Sequence, residues 1–430
     1  MDKFVLSGGF PLRGSVPIGG SKNAALPIMA ACLLGEGRSV LHGVPALRDV
    51  NTLLKILEHL GVRSERDGTT LTLEVTDESE ITAPWEFVKE MRASVCVLGP
   101  LLARRRRARV SYPGGCVFGA RPIDIHLKGL SALGARVGVE HGYVVAEAPR
   151  LTGAEIFLGG AFGPTVLGTA NVAMAAVLAE GTTVIEQAAC EPEVTDLLQF
   201  LVKMGARIKG IGTHHLEIKG VDRLHGAEHT VIPDRIEAGT FLAAGLITSG
   251  EVTVTGVRPD HLAAVLDKFR DAGASFSKTS SSVTLHPPRR IHACQATTLA
   301  YPGFPTDLQA QLMAVLCLAD GISVITEKIY PDRFMHVAEL TRLGARIHKE
   351  GPHAIVEGID HLSGAPVMAS DLRASAALVL AGLVAHGQTE VHRVYHIDRG
   401  YERIEERLAR LGARIRRVDE KTEKAEAEKA

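Results

Sequence analysis

Leu133-Gly134-Ala135-Arg136 decides the fold, because near copies of it return at Leu60-Gly61-Val62-Arg63, Met204-Gly205-Ala206-Arg207, Ala272-Gly273-Ala274-Ser275, Leu343-Gly344-Ala345-Arg346 and Leu411-Gly412-Ala413-Arg414. Successive glycines lie roughly 70 residues apart, the mark of an internal repeat. Each follows an amphipathic stretch at helical spacing, such as Leu53, Leu54, Ile56, Leu57 and Leu60, or Leu197, Leu198, Leu201 and Met204. It therefore reads as the residue that ends a helix. Beyond the glycine the sequence predicts a strand, a turn and a second strand, as in Arg207-Ile208-Lys209, Gly212-Thr213 and His215-Leu216-Glu217-Ile218. Ahead of the amphipathic helix lies another, built from small apolar residues, closed by glycine and followed by a β-branched strand. Ala173 to Gly181 with Thr182 to Ile185 is one example, and Ala376 to Gly387 with Gln388 to Val391 is another. The predicted unit is helix, strand, helix, strand, strand, six times over.

Such a unit is too long for a solenoid repeat of roughly 20 to 50 residues, and its Ala-rich helices have too few polar positions to stay exposed. Three units closing around buried helices make a domain of about 210 residues, and six make two such domains. A chain of 430 residues fits that arithmetic, since domains average about 150 residues. With 46% hydrophobic and 23% charged residues, and 48 Lys and Arg against 49 Asp and Glu, it is neither a disordered chain nor a polycation.

Cys32, Cys96, Cys116, Cys190, Cys294 and Cys317 form no CxxC or close pair, and Met1-Asp2-Lys3-Phe4 opens no apolar leader. A reducing cytosol is therefore expected, without zinc cluster or disulfide scaffold. Apolar stretches such as Ala374 to Ala385 fall short of the roughly 20 residues that span a bilayer. Arg104-Arg105-Arg106-Arg107 reads as a solvated helix end rather than a nucleic-acid patch, because cations complement the dipole there. His214-His215 has no third ligand nearby, so no metal is expected.

A further set of motifs carries a resemblance. They are Gly19-Gly20-Ser21-Lys22-Asn23-Ala24-Ala25, Met91-Arg92-Ala93-Ser94, Pro113 to His126 containing Cys116 and Arg121-Pro122-Ile123-Asp124-Ile125, Phe304-Pro305-Thr306-Asp307-Leu308-Gln309-Ala310-Gln311, Asp371-Leu372-Arg373, and His396 to Glu405 containing Arg399. The chain resembles the UDP-N-acetylglucosamine 1-carboxyvinyltransferase family of enolpyruvyl transferases, from about residue 1 to 417. The resemblance implies an α/β fold of the inside-out barrel type. One three-unit domain would span 22–232, and a second would join 1–21 with 233–417, facing the first across a cleft. Residues 418–430 would remain as a charged, disordered tail.

The activity implied is transfer of the enolpyruvyl group of phosphoenolpyruvate to the 3-hydroxyl of UDP-N-acetylglucosamine in the cytoplasm. It would use no cofactor, no metal, no nucleic acid and no obligate protein partner. Such a transfer needs a base for the hydroxyl, an acid for the methylene carbon, and cations for phosphate and carboxylate. On residues alone, Cys116 in Gly114-Gly115-Cys116 is equally a mobile-loop acid or nucleophile and a small buried apolar residue. Asp307, at a predicted helix start, reads first as an N-cap. A lone arginine reads first as solvated surface.

The resemblance implies more specific roles. Cys116 would protonate the methylene carbon and take an epoxide inhibitor, fosfomycin, as an adduct, while Asp307 and Asp371 would handle the hydroxyl proton. Lys22, Asn23, Arg121, Arg373 and Arg399 would hold phosphoenolpyruvate. Arg92, Arg121, Pro122, Ile123, Asp124, Ile125, Asp307 and Ile329 would hold the nucleotide sugar. One departure is the segment Thr165-Val166-Leu167-Gly168, where many relatives have Ser-Val-Gly.

Overall fold

A computed structural model describes residues 2–89, 91–112 and 123–419, leaving out the side chain of Arg92. The helices are α1 (Lys22–Ala31), α2 (Arg48–His59), α3 (Trp85–Val88), α4 (Leu98–Arg105), α5 (Asp124–Ala132), α6 (Val166–Ala176), α7 (Pro192–Lys203), α8 (Arg235–Ile247), α9 (Ala263–Asp271), α10 (Gln309–Leu316), α11 (His336–Arg342), α12 (Leu372–Gly382) and α13 (Ile404–Arg410). The repeat glycines Gly61, Gly134, Gly205, Gly273, Gly344 and Gly412 all have positive φ, from 81° to 109°. Each lies two residues past the end of α2, α5, α7, α9, α11 or α13. That left-handed turn stops the helix and sends the chain into a strand, and glycine enters it without Cβ strain.

The chain divides into two compact units, 20–232 and 1–19 with 233–430. Within each, the small-residue helices form the core and the sheets lie outside, so each is an inside-out α/β barrel. In α8 every residue from Ile236 to Ile247 is buried, and in α12 every residue from Arg373 to Gly382. Small side chains let these helices approach closely. Where α4 crosses α6, a Cβ on Gly99 would stand 2.2 Å from the carbonyl oxygen of Asn171, and the Gly99 N–H instead donates to Asn171 Oδ1 at 2.8 Å.

Outside the core, five of the six four-stranded sheets among the described residues pair a hairpin with the strand before it and one extra edge strand. In the first, strands Arg38–His42 and Val62–Asp67 flank Thr70–Val75 antiparallel, and Glu228–Thr230 adds parallel to Arg38–His42. Those edge strands, such as Thr82–Ala83 or Glu155–Phe157, were not part of the predicted unit. At two to four residues they carry no periodicity, and their pairing is long-range.

The sixth unit departs from the prediction, because among the described residues no second strand follows Arg414–Asp419. The N-terminal β1 (Asp2–Ser7) fills that place, pairing antiparallel with both Gln388–His392 and Arg414–Asp419. β2 (Gly14–Pro17) then supplies the parallel edge to Val252–Thr255. Val418 and Asp419 are consequently strand, with Lys3 opposite Val418 and Asp2 opposite Asp419. The expected tail from 418 begins two residues too early, because β1 offers a partner through Asp419; residues 420–430 lie outside the described residues. At the other boundary, the Ser21 N–H donates to the Ile232 carbonyl and the Asp234 N–H to the Gly19 carbonyl, tying each chain crossing into its own unit. Among the described residues no helix is long and apolar enough to cross a membrane.

Candidate active site

Asp307 does not cap its helix. It sits inside the 3-10 turn Thr306–Leu308 that precedes α10, with Pro305 at the cap position. Its oxygens go to two guanidinium groups: Oδ1 accepts from Arg333 Nη1 at 2.8 Å, and Oδ2 from Arg373 Nη2 at 3.1 Å. The arginine side chains are 8% and 3% exposed and the carboxylate 27%. Burial alone would lower the Arg373 pKa, yet Tyr401, Asp307 and Asp234 raise it above the ordinary value. Arg333 behaves alike, raised against its burial by Asp307 and Asp371. Both are permanent cations in a site screened from water, where a charge-assisted hydrogen bond has its full strength.

Capping falls to Asp371 instead. Its Oδ1 accepts from the backbone N–H of Arg373 at 2.8 Å and of Ala374 at 3.1 Å, closing the start of α12. Arg373 is thus held at both ends, its backbone by Asp371 and its side chain by Asp307. Beside them Glu327, fully buried at the end of strand Ile322–Glu327, accepts from the hydroxyls of Thr298 (2.6 Å) and Thr306 (2.9 Å) and from the N–H groups of Ile329 (2.8 Å) and Tyr330 (2.9 Å). These bonds shape the loop that carries Ile329 and Arg333. Arg399 closes the 3-10 turn Val394–Arg399, two residues before Tyr401.

The other candidates lie in the unit 20–232. Lys22 opens α1, where a cation opposes the helix dipole. Asp49, in the first turn of α2, meets its Nζ at 3.2 Å. Asn23 follows on the same first turn of α1. Ile123 is buried before α5, Asp124 opens that helix exposed, and Ile125 is half-buried. Thr165 caps α6, its hydroxyl accepting from the Gly168 N–H at 3.2 Å. Arg92 opens the 3-10 turn Arg92–Val97. Cys116, Arg121 and Pro122 lie outside the described residues.

His126, which ends the Arg121 to His126 run, is not a surface ligand but a core histidine. Asn171 Nδ2 donates to its Nδ1 at 3.0 Å and also to the Val95 carbonyl at 2.9 Å, so one amide ties three segments together. Burial pushes the His126 pKa down to about 4, against a smaller upward pull from Asp124. A base whose folded pKa lies below its unfolded value of about 6.5 stabilises the fold above pH 6.5 and loses that contribution as pH falls towards 4. Denaturant stability should therefore fall across this window, with His126 adding a slope of up to about 1.4 kcal/mol per pH unit. His126→Gln, which can still accept from Asn171, should flatten it by that amount. Equal slopes for variant and wild type would place a charged histidine there.

Three arginines of the run Arg104 to Arg107 have local partners. Arg104 reaches Glu78 at 2.9 Å and Glu36 at 3.4 Å, Arg105 donates to the carbonyls of Leu60, Asp77 and Glu80, and Arg107 pairs with Glu147. His214 meets the Ala188 carbonyl and Cys190, and His215 meets Glu186. Among the described residues no group of three or more His, Cys, Asp or Glu side chains could hold a metal ion. Arg333, Glu327, Thr306 and Tyr401 were not singled out in the sequence. Tyr401 stood inside a quoted motif, but only the fold shows that its hydroxyl reaches Arg373, at 3.1 Å.

Known proteins share this architecture. The family model described as EPSP synthase (3-phosphoshikimate 1-carboxyvinyltransferase) matches residues 6–408. A protein of Anaeromyxobacter dehalogenans (strain 2CP-C) named UDP-N-acetylglucosamine 1-carboxyvinyltransferase is 58% identical over 423 residues, covering 97% of this chain and 100% of its own. One of the same name from Anaeromyxobacter sp. (strain Fw109-5) is 57% identical over 422 residues, covering 97% and 99%. Among solved structures, the enolpyruvyl transferase NikO from Streptomyces tendae superposes with a TM-score of 0.88 at 26% identity, covering 97% of this chain and 99% of that one.

Proposed function

The chain belongs to the EPSP synthase family, and from that premise we infer that it transfers the enolpyruvyl group of phosphoenolpyruvate to the 3-hydroxyl of UDP-N-acetylglucosamine, releasing phosphate. The observation that carries this reading is the near-complete cover, at more than half identity, by relatives named for that transfer. The reaction is the first committed step of peptidoglycan synthesis, and it runs in the cytoplasm.

The sugar hydroxyl adds to C2 of phosphoenolpyruvate while the methylene carbon takes a proton. Loss of a proton from that carbon with departure of phosphate then restores the double bond. Asp307 takes the hydroxyl proton. Asp371 is the second candidate; its Oδ1 accepts the backbone N–H groups of Arg373 and Ala374 at the start of α12. Cys116 delivers the proton to the methylene carbon. Lys22, Asn23, Arg121, Arg373 and Arg399 bind the phosphate and carboxylate of phosphoenolpyruvate, and planar guanidinium forks match both groups. Arg92, Arg121, Pro122, Ile123, Asp124, Ile125 and Ile329 hold the nucleotide sugar.

Phosphate release from phosphoenolpyruvate, measured with UDP-N-acetylglucosamine and separately with shikimate 3-phosphate, tests the acceptor. Release is expected with the nucleotide sugar alone. Release only with shikimate 3-phosphate would assign the other carboxyvinyl transfer.

A further inference from the structure

Tyr401 is a large, fully buried side chain whose hydroxyl lies among three polar groups from the three core helices of its unit. Thr240 Oγ1 on α8 is 2.8 Å away, Arg373 Nη1 on α12 is 3.1 Å away, and Gln311 Nε2 on α10 is 3.3 Å away. Arg373 Nη1 can only donate, so the phenol accepts from it and turns its own proton towards Thr240, while the two protons of Gln311 Nε2 are shared among Tyr401, Thr240 and the Asp307 carbonyl. The Thr240 hydroxyl in turn donates to the Ile236 carbonyl at 2.9 Å. A directed chain therefore runs from the guanidinium through the phenol and the threonine to the backbone of α8. Burial raises the Tyr401 pKa, opposed by Arg373, so the phenol keeps its proton at all working pH.

The Arg373 guanidinium makes two side-chain contacts, Nη1 to Tyr401 and Nη2 to Asp307. Its Nε has no partner among the described residues. Two points fix the plane of a fork and one does not. Gln311 reinforces the same geometry from α10, because its Nε2 also donates to the Asp307 carbonyl at 3.0 Å.

We propose that Tyr401 is a positioning residue for the transfer: its hydroxyl orients the Arg373 fork and, through it, the Asp307 carboxylate that faces the sugar hydroxyl. The proposal rests on the reading of Asp307 as the base. Without the phenol oxygen the fork is anchored by Asp307 alone and can turn with it, and small misplacements of a reacting group cost about tenfold to a hundredfold in rate.

Tyr401→Phe keeps the ring and removes only the oxygen. It should lower kcat by about tenfold or more while the KM for UDP-N-acetylglucosamine stays within about twofold. Thr240→Val, which removes the acceptor of the phenol proton, should act in the same direction and less strongly. The decisive measurement is the pair with Asp307→Asn, with residual rates followed at high enzyme concentration. If Tyr401 acts through Asp307, Tyr401→Phe should cost less than about twofold more in that background. A general loss of structure would instead cost the same in both. The proposal is overturned if Tyr401→Phe retains kcat within about twofold of wild type, or if its full loss persists on top of Asp307→Asn. Wild-type turnover in Asp307→Asn alone would remove the base, and the proposal with it, whereas an inactive Asp307→Asn beside a fully active Tyr401→Phe would remove the proposal only.

Discussion

Asp307→Asn is expected to reduce turnover by about a thousandfold or more while changing nucleotide-sugar affinity by no more than several-fold, since a positioned base contributes about 10² to 10⁴ and an amide cannot supply one. The surroundings sharpen the expectation. The amide introduced by Asp307→Asn would keep one oxygen for a single guanidinium and turn its NH2 group towards the other, so Arg333 or Arg373 would lose its acceptor there. Breaking that buried charge pair costs folding stability as well as rate. The two effects are separable. Turnover is read as phosphate release at saturating substrate, affinity by calorimetric titration with UDP-N-acetylglucosamine, and folding by the thermal midpoint. A rate close to wild type in a folded variant would move the base to another group, with Asp371 the next to examine.

The Asp307 environment also marks where a sequence stops being informative. The six glycines were legible because a left-handed backbone after a helix constrains residue type locally, whatever the rest of the chain does. The burial of the Ala-rich helices was legible for a related reason, since a helix without a polar face has nowhere else to go. Strand β1 was not legible as the closing strand of the sixth unit, because its pairing with residues 414–419 joins the two ends of the chain. Asp307 read as a cap from its neighbours alone, and the cap reading failed for a local reason, the 3-10 turn that shifts it past the cap position. The groups that give it a chemical role stand 26 and 66 residues away. Asp371 shows the converse: its capping bonds lie within its own turn, whereas its part in proton handling was suggested only by resemblance.

The second large effect concerns Cys116 and separates two substitutions that remove the same thiol. Cys116→Asp keeps an ionisable acid and discards the soft nucleophile, so it should turn over and escape alkylation by fosfomycin. Cys116→Ala has no proton to give and should lose about 10² to 10⁴ in rate at the chemical step. Alkylation of the wild type should be selective, and the remaining cysteines say why. Burial pushes the thiols of Cys32, Cys96 and Cys317 up to about 12 and that of Cys294 up to about 11, and it raises that of Cys190 as well. At pH 8, thiols at such values are thiolate in no more than about one molecule in a thousand, and the thiolate is the attacking species. Cys116 follows two glycines and stands five residues before Arg121, and a cation close to a thiol favours the thiolate. Intact-mass analysis after fosfomycin treatment should show a single adduct, and peptide mapping should place it on Cys116. An adduct on any other cysteine, or full activity in Cys116→Ala, would withdraw the acid role, because a group that can be deleted without cost cannot be the proton donor in the rate-limiting chemistry.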